Sequence, residues 1–457
     1  MNWNNCFSGD RYGIKADPEN TRTEFERDWD RIIFSSSFRR LQNKTQVFPL
    51  PEEVFVHNRL THSLEVASVG RSLGKIVGKH ISELPEVCVN AHSVDFYKNH
   101  LMHVISAACL AHDLGNPAFG HSGEEAISAY FINKASDLQF KRQFTEGEWA
   151  DLIAFEGNSN AFRILTKQFN GRISGGFRLT YSTLGSILKY PCEALASEGK
   201  KGKKHRSKYG FFQADKPVFT EVVEKLNMIR EHEGEKTIYK RHPFVYLVEA
   251  ADDICYSIID FEDAHRLKIF STDYLIETFL SIITLNKSEN TAVILETLDS
   301  VKDDNEKIAY LRAKSINYLT QKCAEVFIKH CPKLLAGTFE GDLINHDPNT
   351  ERVMKEIIAK SVKYIYNYPP VVKIELAGLR IMSGLVQDFV EAALLDKNQR
   401  DKHHEKLLEL IPSQYIFDES ATPYQKVMSV IDFASGMTDL YALKLYRNLR
   451  GIEMPTI

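Results

Sequence analysis

The sequence predicts an all-α fold, and two observations carry that expectation. In segment after segment, apolar residues recur at spacings of three and four, the signature of a helix with one buried face. No β-α-β alternation and no internal repeat appears, so neither a parallel sheet nor a solenoid is expected. The composition is that of a soluble globular chain: 26% charged and 43% hydrophobic residues over 457 positions. That length forms one large core or two to three ordinary ones. A formal net charge of −4 gives no global case for nucleic-acid binding. No apolar run approaches the roughly 20 residues of a membrane span.

Taken in order, Glu24 to Leu41 reads as one helix with Phe25, Trp29, Ile32 and Ile33 on one face. Residues 44–57, KTQVFPLPEEVFVH, have β-branched and aromatic residues around two prolines and are expected to form a short β-hairpin. Leu60 to His80 aligns Val66, Val69, Leu73 and Ile76 as a helix, and Met102 to Ala111 forms the next one. A further helix begins near Ser122, with Ser122 and Glu125 as a capping box that leaves Glu124 free. Residues 198–209, EGKKGKKHRSKY, are strongly basic and low in complexity, and a mobile loop is expected there. Asp215 before Pro217 opens another helix, and Pro243 to Ile259 is helical with one apolar side. Beyond Thr291 helix follows helix, with breaks expected near Pro332, Gly337-Thr338, Pro348, Pro369-Pro370 and Pro412. The seven cysteines are odd in number and contain no C-x-x-C pair, and no basic-then-apolar leader opens the chain. Reduced thiols and a cytoplasmic location are the expectation.

Chemistry concentrates at His112-Asp113. Met102, Ile105, Cys109 and His112 share one helix stripe, so the imidazole faces the core. His62 is in register with Val66, Val69 and Leu73, and Asp252 with Val245, Val248, Tyr256 and Ile259. A buried carboxylate without a partner costs several kcal/mol, so a partner is required. Two histidines and two aspartates from three helices suit a divalent ion: Mn or Mg first, with Fe, Co and Zn as alternatives. A lone His62 by itself reads as an ordinary core histidine; the set of four changes that reading. After the Gly115-Asn116-Pro117 turn come His121 and Glu124, three residues apart at a helix start and able to face each other. Spacing alone also fits a helix-opening histidine with a dipole partner.

The pattern H…HD…D resembles that of the HD-domain metal-dependent phosphohydrolases. RTEFERDWDRIIFSSSFRRLQNKTQVF, HNRLTHSLEV, HDLGNPAFGHSGEEAI, FEGNSNAFRIL and EAADDICYSIIDFEDA resemble the deoxyguanosinetriphosphate triphosphohydrolase family from about residue 10 to 270, with weaker echoes at VKIELAGLRIMSGL and SGMTDLYALKLYRNL. The resemblance implies a large HD-type helical fold with a C-terminal helical region. We divide it as 1–58 (helix and hairpin, contributing to the substrate pocket and oligomer contacts), 59–275 (the metal-dependent core) and 276–457.

By the same resemblance His62, His112, Asp113 and Asp252 hold the metal, and His121 with Glu124 is catalytic. The implied reaction converts dGTP, or other dNTPs, and water to deoxynucleoside and intact triphosphate. Whether His121 serves as acid, base or nucleophile stays open. A triphosphate needs fixed cations. Arg59, one turn before His62, matches a family arginine; Lys189, Tyr190 and Lys208 lie in segments like the family's phosphate contacts, and Asn116 of the turn joins the substrate set. Tyr256 and Asp260 extend the Asp252 face, toward the deoxyribose and its 3′-hydroxyl, and Gln46 matches a position near that hydroxyl. Glu375 is the candidate acceptor for the guanine N–H groups. Each has a bland alternative: solvated lysines, a core tyrosine, a solvated Asp260, a strand glutamine, a surface glutamate. The resemblance further implies a homo-oligomer, a hexamer, and leaves room for a nucleotide or nucleic-acid effector. Two rival functions stand beside it. One is another HD-type nucleotide phosphohydrolase, a 5′-nucleotidase or phosphodiesterase; the other is an inactive nucleotide-sensing scaffold.

Overall fold

Two helices, Arg59–Ser82 and Leu101–Ala111, pack side by side at the heart of the molecule. They approach closely because Gly70, Gly74 and Gly78 fall four residues apart on one face; a Cβ on Gly74 would stand 2.8 Å from the Met102 Cα. Pro243–Arg266 packs against both, backed by Asp304–Leu335. Val66, Leu73, Ile105, Leu247, Ile254 and Phe327 belong to the hydrophobic cluster these four helices share. A second cluster, including Ile127, Phe131, Met382, Phe389 and Val430, forms where His121–Asn133, Pro369–Leu394 and Pro423–Ser435 meet. The chain crosses from one to the other in the turn after Ala111: Leu114 is buried in the first cluster, Ala118 and Phe119 in the second.

The structure, a computed structural model, describes residues 1–14, 22–48, 56–172, 175–199 and 202–454. These residues are mostly helical, with β-structure among them limited to isolated bridges. None of their helices is long and apolar enough to cross a membrane, and all seven cysteines are free thiols.

Several local expectations are corrected. The hairpin over 44–57 is not found: one antiparallel bridge joins Thr45 to Asn58, and residues 49–55 lie outside the described residues. The two prolines at 49 and 51 lack the N–H groups a ladder needs. The stretch 24–41 is two helices, Glu24–Ile33 and Ser36–Arg40, because Ser35 caps the second by accepting the Phe38 N–H at 3.1 Å. The Ser122/Glu125 capping box is absent. The helix starts at His121 on a left-handed Gly120 (φ 57°), and Glu125 is exposed. One cap contributes about 1 kcal/mol; a fully buried Phe or Leu contributes roughly 1.5–3, so packing of the second cluster decides where this helix begins. Pro332 does not break its helix, because it sits in the last turn before Gly337 (φ 65°), where one missing hydrogen bond is tolerated. The described part of the basic run is anchored rather than loose. Arg206 is buried against Glu198 and Glu233, and Lys203 and His205 both pair with Glu231.

Candidate functional site

Three helices bring one side chain each to a common point. His62 Nε2 lies 3.1 Å from Asp252 Oδ1, and His112 Nε2 lies 3.5 Å from the same oxygen. The ligand-type atoms of His62, His112 and Asp252 all fall within 4.8 Å of one another. The His112 Nδ1–H donates to the Cys109 carbonyl at 2.6 Å. A carbonyl only accepts, so this bond sets the tautomer and leaves the Nε2 lone pair facing the cluster. That Nε2 is buried without a hydrogen-bond partner. A divalent ion fits this site: two imidazole nitrogens and a carboxylate are its donor set, and the orphaned nitrogen is what it would satisfy. Burial opposes charge on both partners, yet Asp113 and Asp252 outweigh it and hold His112 up at about 9, while His112 and His62 hold Asp252 well below the carboxylate range.

Asp113 is adjacent but turned aside. Its Oδ1 stands 3.6 Å from His112 Nε2, and its Oδ2 accepts from Arg59 Nη1 at 2.7 Å. Asn116 Nδ2 also donates to it. Arg59 is 8% exposed, and its Nε has no partner. The guanidinium also abuts Gly120, where a Cβ would stand 2.9 Å from Nη2. A cation thus lies between the metal-type cluster and the helix that opens at His121.

His121 projects with its side chain 86% exposed. Its Nδ1–H donates to Glu124 Oε2 at 3.0 Å, and the other Glu124 oxygen accepts the Gly157 N–H at 2.9 Å. Glu124 is therefore fixed by backbone, and the imidazole is fixed by Glu124, which leaves Nε2 open. The Glu124 hydrogen bond raises the His121 pKa, against the pull of burial. Lys208 spans Glu156, at 2.6 Å, and Glu124, at 4.0 Å.

The remaining predicted contacts form two groups. Lys189 reaches Glu249 at 3.4 Å, and Lys204 and Arg241 reach the same carboxylate at 3.2 and 2.9 Å. Lys189 and Glu249 line a small cavity with His112, Asn158 and Asp252. Tyr190 is buried, its ring beneath Lys189 and Arg241. On the other side of Asp252, Tyr256 stacks on Tyr366 (centroids 5.8 Å apart, 17° between planes), and the Tyr366 hydroxyl donates to Asp260 at 2.6 Å. Burial raises Asp260 to about 8. Gln46 keeps a buried Oε1 without a partner. Glu375 is exposed on the helix that packs against His121–Asn133; burial and then Glu125 raise its pKa, and His121 lowers it.

Sequence reasoning missed Lys204, Arg241, Glu249 and Tyr366. The lysine sat in a run read as a solvated loop, and Tyr366 closes a π-helical turn, Ser361–Tyr366, whose wider period gives no stripe to read. Glu249 carried a signal: it lies three residues before Asp252, on a neighbouring part of the same helix.

A family model for the HD domain matches residues 59–157. A "Deoxyguanosinetriphosphate triphosphohydrolase-like protein" of Synechocystis sp. is 38% identical over 99% of this chain and 100% of its own length. Proteins of the same name from Pseudomonas aeruginosa and Listeria innocua are 37% and 31% identical, covering 100% and 94% of this chain and 100% and 95% of their own. Likeness at this level runs through every helix described above, and the chain belongs to the deoxyguanosinetriphosphate triphosphohydrolase-like family of HD-domain proteins.

Proposed function

We propose that the protein hydrolyses dGTP, and other dNTPs to a lesser degree, to deoxynucleoside and inorganic triphosphate by attack of water at the α-phosphorus. The observation that carries this reading is the pairing of a His62/His112/Asp252 cluster with a backbone-fixed His121–Glu124 dyad across Arg59. Asp113 completes the ligand set once its carboxylate turns from Arg59. A divalent ion bound there, Mn or Mg, supplies Lewis-acid polarisation of an α-phosphate oxygen and a lowered pKa for bound water.

The chain's own groups do the rest. Arg59 and Lys208 flank the dyad and take phosphate oxygens, as does Asn116. Lys189 gathers with Lys204 and Arg241 around Glu249, and Lys204 also pairs with Asp342; the cluster brings three cations to one place for phosphate oxygens. Tyr190 sits beneath that cluster. The P–O5′ bond breaks as the water oxygen bonds to phosphorus, and His121 Nε2 handles the proton, either from the water or to the leaving O5′. Tyr256 packs on the deoxyribose, where a 2′-hydroxyl would crowd the ring. Asp260 and Gln46 bind the 3′-hydroxyl; Asp260, raised to about 8, donates as well as accepts. Glu375 takes the guanine N1–H and N2–H. It is exposed in the single chain beside exposed Leu376, which suits a homo-oligomer, a hexamer, in which copies close over each other's pockets. Free thiols suit a reducing cytoplasm.

A second cavity, of about 480 Å³, is lined by Arg31, Arg39, Arg40, Lys167 and Arg172 with Phe34 and Tyr415, and shares no residue with the dGTP site proposed above. Its cations and aromatic rings suit a nucleotide effector. The test of the main reading is a panel of the four dNTPs and GTP with Mn or Mg, products resolved by chromatography. Deoxyguanosine and triphosphate from dGTP are expected first; orthophosphate or a nucleoside monophosphate as first product sinks the proposal.

A further inference from the structure

The turn between Asp113 and His121 has to hold His121 in place, yet it is irregular backbone. It contains a left-handed phenylalanine, Phe119 at φ 62°, followed by Gly120 at φ 57°. A bulky residue adopts that conformation only where surrounding contacts impose it. The contacts come from two side chains far apart in sequence. Lys44, 4% exposed, donates from Nζ to the Asn116 carbonyl at 2.5 Å and to the Ser435 carbonyl at 2.9 Å. Asp439, 1% exposed, accepts the Phe119 N–H at 3.0 Å through Oδ1. Its Oδ2 accepts both the N–H and the hydroxyl of Thr45, at 2.9 and 2.5 Å. Thr45 follows Lys44 directly, so the two side chains form one unit: a lysine from the N-terminal segment and an aspartate from the Asp439–Leu449 helix, joined through Thr45. The unit grips the turn at both ends, at the Asn116 carbonyl and at the Phe119 amide.

We propose that Lys44 and Asp439 are positioning residues that set where His121 stands relative to His112. Neither side chain touches the metal-type cluster or the dyad, so they act on His121 through the turn; the Lys44 carbonyl separately accepts the Arg59 N–H at 3.2 Å, a backbone bond that side-chain substitution leaves in place. The proposal rests on the reading of His121 as the proton-handling group. Burying an ammonium among carbonyls is costly, and the arrangement makes sense where the geometry it fixes matters more than the stability lost.

The test uses the full-length, metal-loaded protein and two variants, Lys44→Met and Asp439→Asn, with Lys44→Arg as the conservative partner and Thr45→Val should Lys44→Met fail to fold. A misplacement of about 1 Å costs on the order of a hundredfold in rate. We expect kcat to fall by at least roughly tenfold with metal content held and KM changed less than kcat, since the same grip also holds Asn116, and Lys44→Arg to recover part of the loss. Hydrogen exchange is measured in parallel, and peptides covering 114–121 should exchange faster while those covering 59–82 do not change. Unchanged exchange over 114–121 in both variants overturns the grip itself. Faster exchange with kcat retained overturns the positioning role. A wild-type protein that hydrolyses no dNTP sinks the catalytic reading instead, and the exchange data still judge the grip.

Discussion

His121 and Asp252 have separable roles, and substitution separates them. Asp252 is the oxygen shared by both histidines of the cluster, so Asp252→Ala should abolish metal binding and, with it, activity. His121 touches no member of that cluster, so His121→Ala should keep the metal, read by elemental analysis, while kcat falls by roughly 10²- to 10⁴-fold. Near-normal turnover in a metal-loaded His121→Ala protein would remove the histidine from the mechanism. The pH profile gives a second residue-scale prediction. The Glu124 hydrogen bond raises the His121 pKa, so Glu124→Gln should lower it. An acid must be protonated, and its activity is lost as pH rises through its pKa. A base must be neutral, and its activity is lost as pH falls through its pKa. In either role the limb belonging to His121 moves to lower pH in Glu124→Gln; a shifted alkaline limb assigns the acid and a shifted acidic limb the base. Two unmoved limbs contradict the dyad.

Helices carry the site, and one buried network ties two of them together. Arg163, on Gly157–Thr166, donates to Asp432 at 2.7 Å and to Asp215 at 3.0 Å, with side chains no more than 6% exposed. The same helix supplies the Gly157 amide that holds Glu124 and the Asn160 amide that holds the Gly115 carbonyl. Removing one member of such a network leaves buried charge uncompensated, so Arg163→Met should cost about 3 kcal/mol or more in urea unfolding. A loss below about 1 kcal/mol would mean that Lys167, which also pairs with Asp432, carries the network by itself. The element scale also explains what could be read in advance. His62, His112 and Asp252 were legible because each continues an apolar stripe on a regular helix, and periodicity is a local property. The hairpin and the Ser122 cap were misread because local propensity was the only guide there. The two prolines decide against the hairpin, and a left-handed Gly120 with the packing of Phe119 decides against the cap; the Phe119 N–H is held by Asp439, 320 residues away. Lys44 and Asp439 stayed hidden for a related reason: each buried charge declares itself only when its partner is known.

Across the whole molecule, the His121–Glu124 dyad sits where the chain leaves one hydrophobic cluster and enters another. The metal-type cluster belongs to helices of the first, and His121 opens a helix of the second. Any relative shift of the two clusters would change the distance between His112 and His121, and the Lys44–Asp439 grip and the Arg163 network both bridge this boundary. Glu375 and its neighbour Leu376 lie on the second side, and both are exposed. We expect light scattering to give a homo-oligomer, with hexamer mass, and Leu376→Asp to weaken assembly and base selectivity together. A monomer with full guanine preference would contradict this arrangement. The central claim is attack at the α-phosphorus, and hydrolysis of dGTP in heavy-oxygen water tests it most directly. The account predicts a heavy oxygen in the released triphosphate and none in deoxyguanosine. Label in the nucleoside, or pyrophosphate or orthophosphate as the first product, would contradict it.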